Sequence, residues 1–358
     1  MRGAYNKISS LTVDEKKRGV IAASAGNHAQ GVALAATLNG IESTIVLPEF
    51  APLTKVLATK NFGAKVILHG GSFDEAVAHS LELQKEFGYT YVHAFDDYKI
   101  IAGQGTIGCE IAEDLPNVSV IVVPIGGGGI ISGIAIAAKA LIPNVRIIGV
   151  QAAECSSVKQ SLLAGRPVAV EAATTIADGI AVKRPGEKTL PIIRDLVDEI
   201  VEVTEEEIAR AIFHCVQNTR LVVEGAGSAG VAALLAKKVK ISPNDNVCSV
   251  LCGGNIDGNL LARILEQVMV RQGRYMILKL TVLDRPGGIA KLLEHVASSG
   301  ANVIEIFHRR ALWLAPLGRV GIEMILEVRD NEHGTEVTEY LTNVGYHIER
   351  EGIGDWAS

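Results

Sequence analysis

Short, almost wholly apolar runs alternate with helical patterns from the start of the chain to Gln151. "GVIAAS" (19–24) precedes "NHAQGVALAATLNG", "STIVLP" precedes "APLTKVLATKNFG", and "AKVILHG" precedes "SFDEAVAHSLELQKEFG". The series goes on with "VSVIVVPI" (118–125), a run of glycines, "IISGIAIAAKALIP" and "VRIIGVQ". Apolar strands separated by helices of this length predict parallel sheets covered on both faces, a three-layer α/β domain. Even the opening "MRGAYNKISS" reads as the inside of an element: Ala4, Ile8 and Leu11 fall at i, i+4 and i+7 of a helical stripe. After Gln151 the pattern loosens into loop and helix, notably "EEEIARAIFHCVQNTR". Strand, turn and helix return in "NVCSVLCGGNIDGNLLARILEQV".

The character changes at "VRQGRY", which sets an expected boundary between residues 1–273 and 274–358. In "YMILKLTVLD" Met276, Leu278, Leu280 and Val282 alternate with polar positions, the period of a half-exposed strand. Ile289, Leu292, Leu293, Val296 and Ala297 then share one helical face. "ANVIEIFHRR", the alternating "RVGIEMILEVRD", the helix "GTEVTEYLTNVG" and "YHIERE" complete a βαββαβ order. That order predicts a ferredoxin-like sandwich with its helices on one face of an antiparallel sheet.

Composition narrows the picture. At 358 residues the chain suggests roughly two domains of about 150 residues. The net charge of −6 offers no field for nucleic acid or an anionic membrane, so neither is expected as a partner. No apolar run approaches the ~18 residues of a membrane span, and the first residues contain no signal-peptide core. The five cysteines are odd in number and form no CxxC pair, so a reducing, cytoplasmic setting is expected. No metal site is assigned.

Three strand-to-helix turns carry the candidate chemistry. "SAGNHAQG" (24–31) has the small residues of a sharp turn and N–H groups at a helix start, suited to a carboxylate or phosphate. In "PIGGGGIISG", Gly126 to Gly129 let several backbone N–H groups converge on one oxyanion, most plausibly a phosphate. In "LCGGNIDGN", Cys252 ends an expected strand and Gly253 and Gly254 start a tight loop. All three follow the carboxyl ends of strands, where open α/β sheets place ligands. Each has a plainer reading: two glycines can be only a turn, His28 a structural helix residue, Cys252 a small buried apolar group. The acidic run Glu205 to Glu207 reads as the solvated first turn of a helix capped by Thr204. "GAGSAG" (225–230), with Asp245 downstream, fits a dinucleotide fingerprint, but no clear strand leads into it.

In order along the chain, "RGAYNKI", "SAGNHAQG", "PIGGGG", "TIADGI" with "PIIRDLVDEIVEVTEEEI", "EGAGSAG" and "CGGNID" resemble the threonine/serine dehydratases. These threonine ammonia-lyases are pyridoxal-phosphate enzymes of the tryptophan-synthase-β-like fold. Residues 275–352, with "LDRPGGI", resemble an ACT domain, so the layout is similar to the form of threonine dehydratase carrying one such domain.

The resemblance implies that Gly126, Gly127, Gly128 and Gly129 hold the phosphate of pyridoxal phosphate and that Asn27 bonds the ring's phenolic oxygen. Glu224 would lie near the ring, with Cys252 facing the pyridine nitrogen. Such a neutral partner moderates the electron sink and favours β-elimination over transamination. Ser24, Ala25, Gly26, Asn27 and His28 would receive the substrate carboxylate. Related serine racemases have a serine where Ala25 stands, so the missing hydroxyl favours a dehydratase. The implied reaction converts L-threonine, or less specifically L-serine, to 2-oxobutanoate or pyruvate and ammonia. In the ACT-like part, Asp284, Arg285, Pro286, Gly287 and Gly288 would receive an amino-acid effector at a subunit interface, and a dimer or tetramer is expected.

One departure stands out. The family's Schiff-base lysine lies two residues before the arginine of "RGAYN", here Arg2, and only Met1 precedes it. Lys7 cannot replace it, being five residues along the same helix, about 7.5 Å at 1.5 Å per residue. The expectation is therefore a start at an internal Met, with the lysine just before Met1 and the family's leading segment missing. The chain as written should bind the cofactor weakly and be nearly inactive. Two other readings stay open: a non-catalytic amino-acid-binding protein, and a dinucleotide-dependent oxidoreductase working through "GAGSAG".

Overall fold

Two parallel sheets and one antiparallel sheet organise the chain in a computed structural model that describes residues 1–171, 174–309 and 316–351. Contacts group the chain into two compact units, Met1–Asp257 and Gly258–Ser358.

The N-terminal unit opens with α1 (Arg2–Ser9) and α2 (Val13–Arg18), then runs β1 (Val20–Ala23), α3 (Asn27–Leu38), β2 (Ser43–Leu47), α4 (Leu53–Asn61), β3 (Lys65–Leu68), α5 (Phe73–Phe87), β4 (Thr90–Tyr91) and α6 (Tyr98–Asp114). These strands form a sheet of order β3-β2-β1-β4, every pair parallel. β1 and β2 are buried along their whole length, which is why they read as continuous apolar runs rather than as alternation. Caps set the helix starts: Thr12 and Glu15 form a reciprocal capping box on α2, Ser72 caps α5, and Asp97 accepts from the N–H of Lys99 at 2.7 Å to start α6.

A second parallel sheet follows from β5 (Val120–Pro124), α7 (Gly129–Leu141), β6 (Arg146–Ala152), α8 (Ser157–Ala164), α9 (Thr189–Leu196), β7 (Glu199–Val203), α10 (Glu205–His214), α11 (Gly225–Leu235) and β8 (Val247–Ser249). Its order is β7-β6-β5-β8. Its core gathers Ile121, Val123, Ile131, Ile134, Ile147 and Ile193, whereas Ile8, Leu11, Val32, Ile45 and Leu47 fill the core around the first sheet.

Close helix contacts through glycine join the two layers. A Cβ on Gly3 would stand 2.8 Å from the carbonyl oxygen of Ile100, and one on Gly103 would stand 2.7 Å from the carbonyl oxygen of Arg2. A Cβ on Gly133 of α7 would meet the Ile101 carbonyl oxygen at 2.3 Å and the Gly105 nitrogen at 2.6 Å. Backbone lies against backbone along α1, α6 and α7, so the glycine of the opening "RGAYN" is a packing requirement. Lys7, on the far turn of α1, pairs with Asp97 at 2.8 Å.

The C-terminal unit begins with α12 (Gly258–Arg271), which packs on β9 (Tyr275–Leu283), so the grouping divides ahead of the "VRQGRY" turn. After β9 come α13 (Gly288–Ser298), β10 (Asn302–Arg309), β11 (Arg319–Glu327), α14 (Asn331–Asn343) and β12 (Ile348–Glu351). The sheet order is β10-β11-β9-β12 with every pair antiparallel, a βαββαβ unit. Leu292 and Val296 of α13 and Val337 and Leu341 of α14 share one core with Leu278, Leu280, Ile322 and Met324 of the sheet. Arg310, the last residue of the expected second strand, lies outside the described residues. Among the described residues no helix is long and apolar enough to cross a membrane.

Replacing Gly133 by Ala should drive a methyl into the α6 backbone and cost about 1–3 kcal/mol, the range of core overpacking. Equilibrium denaturant unfolding of Gly133→Ala against the unsubstituted chain checks it; unchanged stability would mean that the helices separate freely here.

Candidate active site

The four-glycine turn lies between the end of β5 and the start of α7. Gly128 is the N-cap residue at φ +95°, a conformation that side chains disfavour. Among the described residues, no acceptor meets the N–H groups of Gly126, Gly127, Gly128 or Gly129. Four such donors at the positive end of a 13-residue helix have the chemistry that suits an anion. The turn is crowded on its outer side: a Cβ on Gly127 would lie 2.3 Å from the Phe95 ring, and one on Gly128 2.9 Å from Thr189.

Asn27, Glu224, Cys252 and Gly253 come together from three separate elements. Asn27 at the start of α3 donates from Nδ2 to Glu224 Oε1 at 2.7 Å, and the Asn255 N–H donates to Oε2 at 2.9 Å. Glu224 occupies the N-cap position of α11, with its side chain turned to these partners instead of the helix, and is only 5% exposed. Gly253 presses on this pair so closely that a Cβ would stand 2.1 Å from Glu224 Oε1. Burial above all pushes the Glu224 carboxyl up. The Asn255 N–H opposes it, Asp178 adds to it, and Asn27 and Lys55 oppose it. Burial and then the neighbouring Glu224 push the Cys252 thiol up to about 12, so it stays a neutral S–H. Strand β8 ends at Ser249, so Cys252 stands in the loop beyond it rather than at a strand end, since ladder pairing with β5 stops at Ser249.

The turn Ser24–His28 follows β1. The Ser24 hydroxyl accepts from the Gly26 N–H at 3.1 Å and holds the turn closed, and Ala25 presents no hydroxyl. The His28 ring is tied elsewhere: its Nε2–H donates to the Val92 carbonyl at 2.9 Å, and burial lowers its pKa to about 4. His28 is therefore a neutral strut between α3 and the strand end beyond β4. In the C-terminal unit, Asp284–Gly288 forms the turn from β9 into α13. It borders a cavity of about 390 Å³ that His308 and Val320 also line.

The family model described as pyridoxal-phosphate dependent enzyme matches residues 1–253. The L-threonine ammonia-lyase of Thermotoga maritima is 50% identical over 349 residues, covering 97% of this chain and 86% of that protein. The chain belongs to the pyridoxal-phosphate-dependent enzymes. Among solved structures it is similar to the processed form of threonine deaminase isoform 2 from Solanum lycopersicum, with TM-score 0.70 and 39% identity over 74% of this chain and 78% of that one. Maize serine racemase gives TM-score 0.70 and 36% identity, covering 75% of this chain and 83% of that one.

For a pyridoxal-phosphate-dependent enzyme, the residues present suit the cofactor: unpaired N–H groups for a phosphate, and a neutral thiol beside the buried Glu224 carboxyl and its exposed Asn27 partner for a polar ring. "GAGSAG" plays a different part from a dinucleotide turn. It forms the first turns of α11, Leu221–Glu224 ahead of it is not a strand, and a Cβ on Gly227 would stand 2.8 Å from the Gly253 carbonyl oxygen. Asp245 is used by the Ser242 N–H at 2.7 Å and the Ser119 hydroxyl at 2.8 Å.

Sequence patterns missed several residues that shape this region. Lys55 of α4 reaches across to Asp178 of the "TIADGI" loop at 2.6 Å. Glu205 is not simply solvated: its carboxylate accepts from the Thr175 hydroxyl and, at 2.8 Å, from the Ile176 N–H, fixing the same loop. The Thr204 cap and its partner Glu207 do form the capping box. Only the "TIADGI" motif itself could have pointed to these partners.

The low His28 pKa carries a pH dependence. A histidine whose folded pKa lies below its unfolded value of 6.5 takes up its proton more readily in the unfolded chain. Stability should therefore be lost as pH falls from 6.5 through about 4. Melting curves of the unsubstituted chain and His28→Gln across that window should converge on acidification, and parallel curves would refute the assignment.

Proposed function

We propose that this chain acts as an L-threonine ammonia-lyase, removing water from L-threonine and then releasing ammonia as water hydrolyses the resulting imine to 2-oxobutanoate, and less specifically converting L-serine to pyruvate. The observation that carries the reading is the four-glycine turn, whose N–H groups meet no acceptor among the described residues, at the start of α7. The threonine-acting names of relatives as similar as 50% support it.

In this reading Gly126–Gly129 donate to the cofactor phosphate and Asn27 turns its amide toward the ring oxygen. Bound pyridoxal phosphate would supply an electron sink for the carbon that bears the substrate amine. Cys252 keeps its own proton up to about 12, so it offers the ring nitrogen a neutral partner rather than a carboxylate. The N–H groups at the start of α3, within Ser24–His28, take the substrate carboxylate, aided by the helix dipole. Ala25 offers no hydroxyl where related serine racemases have a serine, which favours elimination over racemisation.

In this reading Lys7 does not serve as the carrier amine and base. Lys7 is committed to Asp97 at 2.8 Å. Treating the 358-residue chain with stoichiometric pyridoxal phosphate and borohydride should label no single lysine above the background labelling of its exposed lysines, with ammonia release near background. A version with a lysine directly ahead of Met1 should capture the cofactor and form 2-oxobutanoate from threonine. One lysine within 1–358 modified selectively overturns the first expectation, and an extended, cofactor-loaded version inert to threonine overturns the function.

The C-terminal βαββαβ unit is read as an ACT-like regulatory domain. The cavity at Asp284–Gly288 would take a branched-chain amino acid such as isoleucine or valine and act through subunit packing in a dimer or tetramer. Removing residues after 273 from an active version should abolish the response to both amino acids. A retained response would place regulation elsewhere.

A further inference from the structure

We propose that Thr189 is a positioning residue for the cofactor phosphate, acting by fixing the orientation of the Gly127–Gly128 peptide. The proposal rests on the reading that the glycine turn holds that phosphate. Thr189, the first residue of α9, is fully buried. Its hydroxyl donates to the Gly127 carbonyl at 2.7 Å and accepts from the Gly186 N–H at 3.1 Å. The Gly186 N–H also reaches the Gly127 carbonyl, at 3.4 Å, so the threonine supplies the shorter of the two bonds.

A trans peptide is planar, with its C=O and N–H on opposite sides. No described peptide in the chain is cis. Holding the Gly127 carbonyl toward α9 therefore turns the Gly128 N–H the other way, where no acceptor among the described residues meets it. Gly128 needs this external hold because glycine restricts its own backbone so little. A donor fixed in place before the ligand arrives loses less freedom on binding than one that must be ordered then.

Thr189 is in turn held by Asp96. One Asp96 oxygen accepts from the N–H groups of Lys188 at 2.8 Å and Thr189 at 3.3 Å, and the other from Glu187 at 3.1 Å. Asp96 sits in the loop that follows the first sheet, next to Phe95, whose ring packs on Gly127. The phosphate turn of the second sheet is thus set by a loop of the first through Asp96, the start of α9 and Thr189.

The test compares affinities of the 358-residue chain for pyridoxal phosphate and for pyridoxal, which lacks the phosphate, by equilibrium dialysis. Thr189→Val should weaken pyridoxal phosphate about tenfold, the loss expected for one buried hydrogen bond, while pyridoxal binding stays as before. Thr189→Ser, which keeps the hydroxyl, should restore the phosphate preference. Asp96→Asn gives a second variant with Thr189 intact, and should show a smaller loss confined to the phosphorylated ligand. The proposal is overturned if Thr189→Val binds pyridoxal phosphate as the native chain does, or if it loses both ligands equally, the mark of general loosening. A native chain that does not prefer the phosphorylated form would overturn the cradle reading itself, and this proposal with it.

Discussion

The hydrogen bond from Asn27 to Glu224 is where the two parallel sheets become one site. Asn27 begins the helix after β1 of the first sheet, and Glu224 immediately precedes the helix that leads to β8 of the second. They meet at 2.7 Å with the carboxyl almost wholly out of water. A buried carboxyl lacking such donors would carry the cost of an unsatisfied polar group. Its neighbours are constrained accordingly. Gly253 can carry no side chain, and the Cys252 thiol keeps its proton beside the carboxylate.

A second constraint is close packing. The glycines on α1, α6 and α7 let three helices approach at backbone distance, which sets the start of α7 against the loop after β4. That loop supplies Phe95, which packs on the glycine turn, and Asp96, which holds the start of α9. The surroundings of the glycine turn therefore draw on both sheets, although its four N–H groups belong to a single turn. Bulk added at the helix interface would be felt at that turn, since packed interiors transmit strain.

Much of this was legible in one dimension. Continuous apolar runs between helical patterns marked the parallel sheets, buried on both faces, and period-two alternation marked the βαββαβ unit, whose sheet is buried on one face. The glycine turns were visible because consecutive residues without Cβ are rare without a backbone reason. Other features were not local. His28 by itself read as a structural helix residue, and only the resemblance put it in the carboxylate loop; the Val92 carbonyl, 64 positions away, makes its ring a strut. The Glu205 carboxylate looked solvated, yet it holds the "TIADGI" loop about 30 positions back.

The sequence by itself determined the element order, the two kinds of sheet, the turns at the strand ends and the family resemblance, because each is written in residues close along the chain. Only the tertiary structure decided which side chains act together: Asn27 with Glu224, Lys55 with Asp178, Asp96 with α9, and Thr189 with Gly127. Those pairs lie from 62 to 197 positions apart. A hydrogen bond depends on distance and direction in space, and crossovers between parallel strands bring remote segments together without any local pattern that records the pairing.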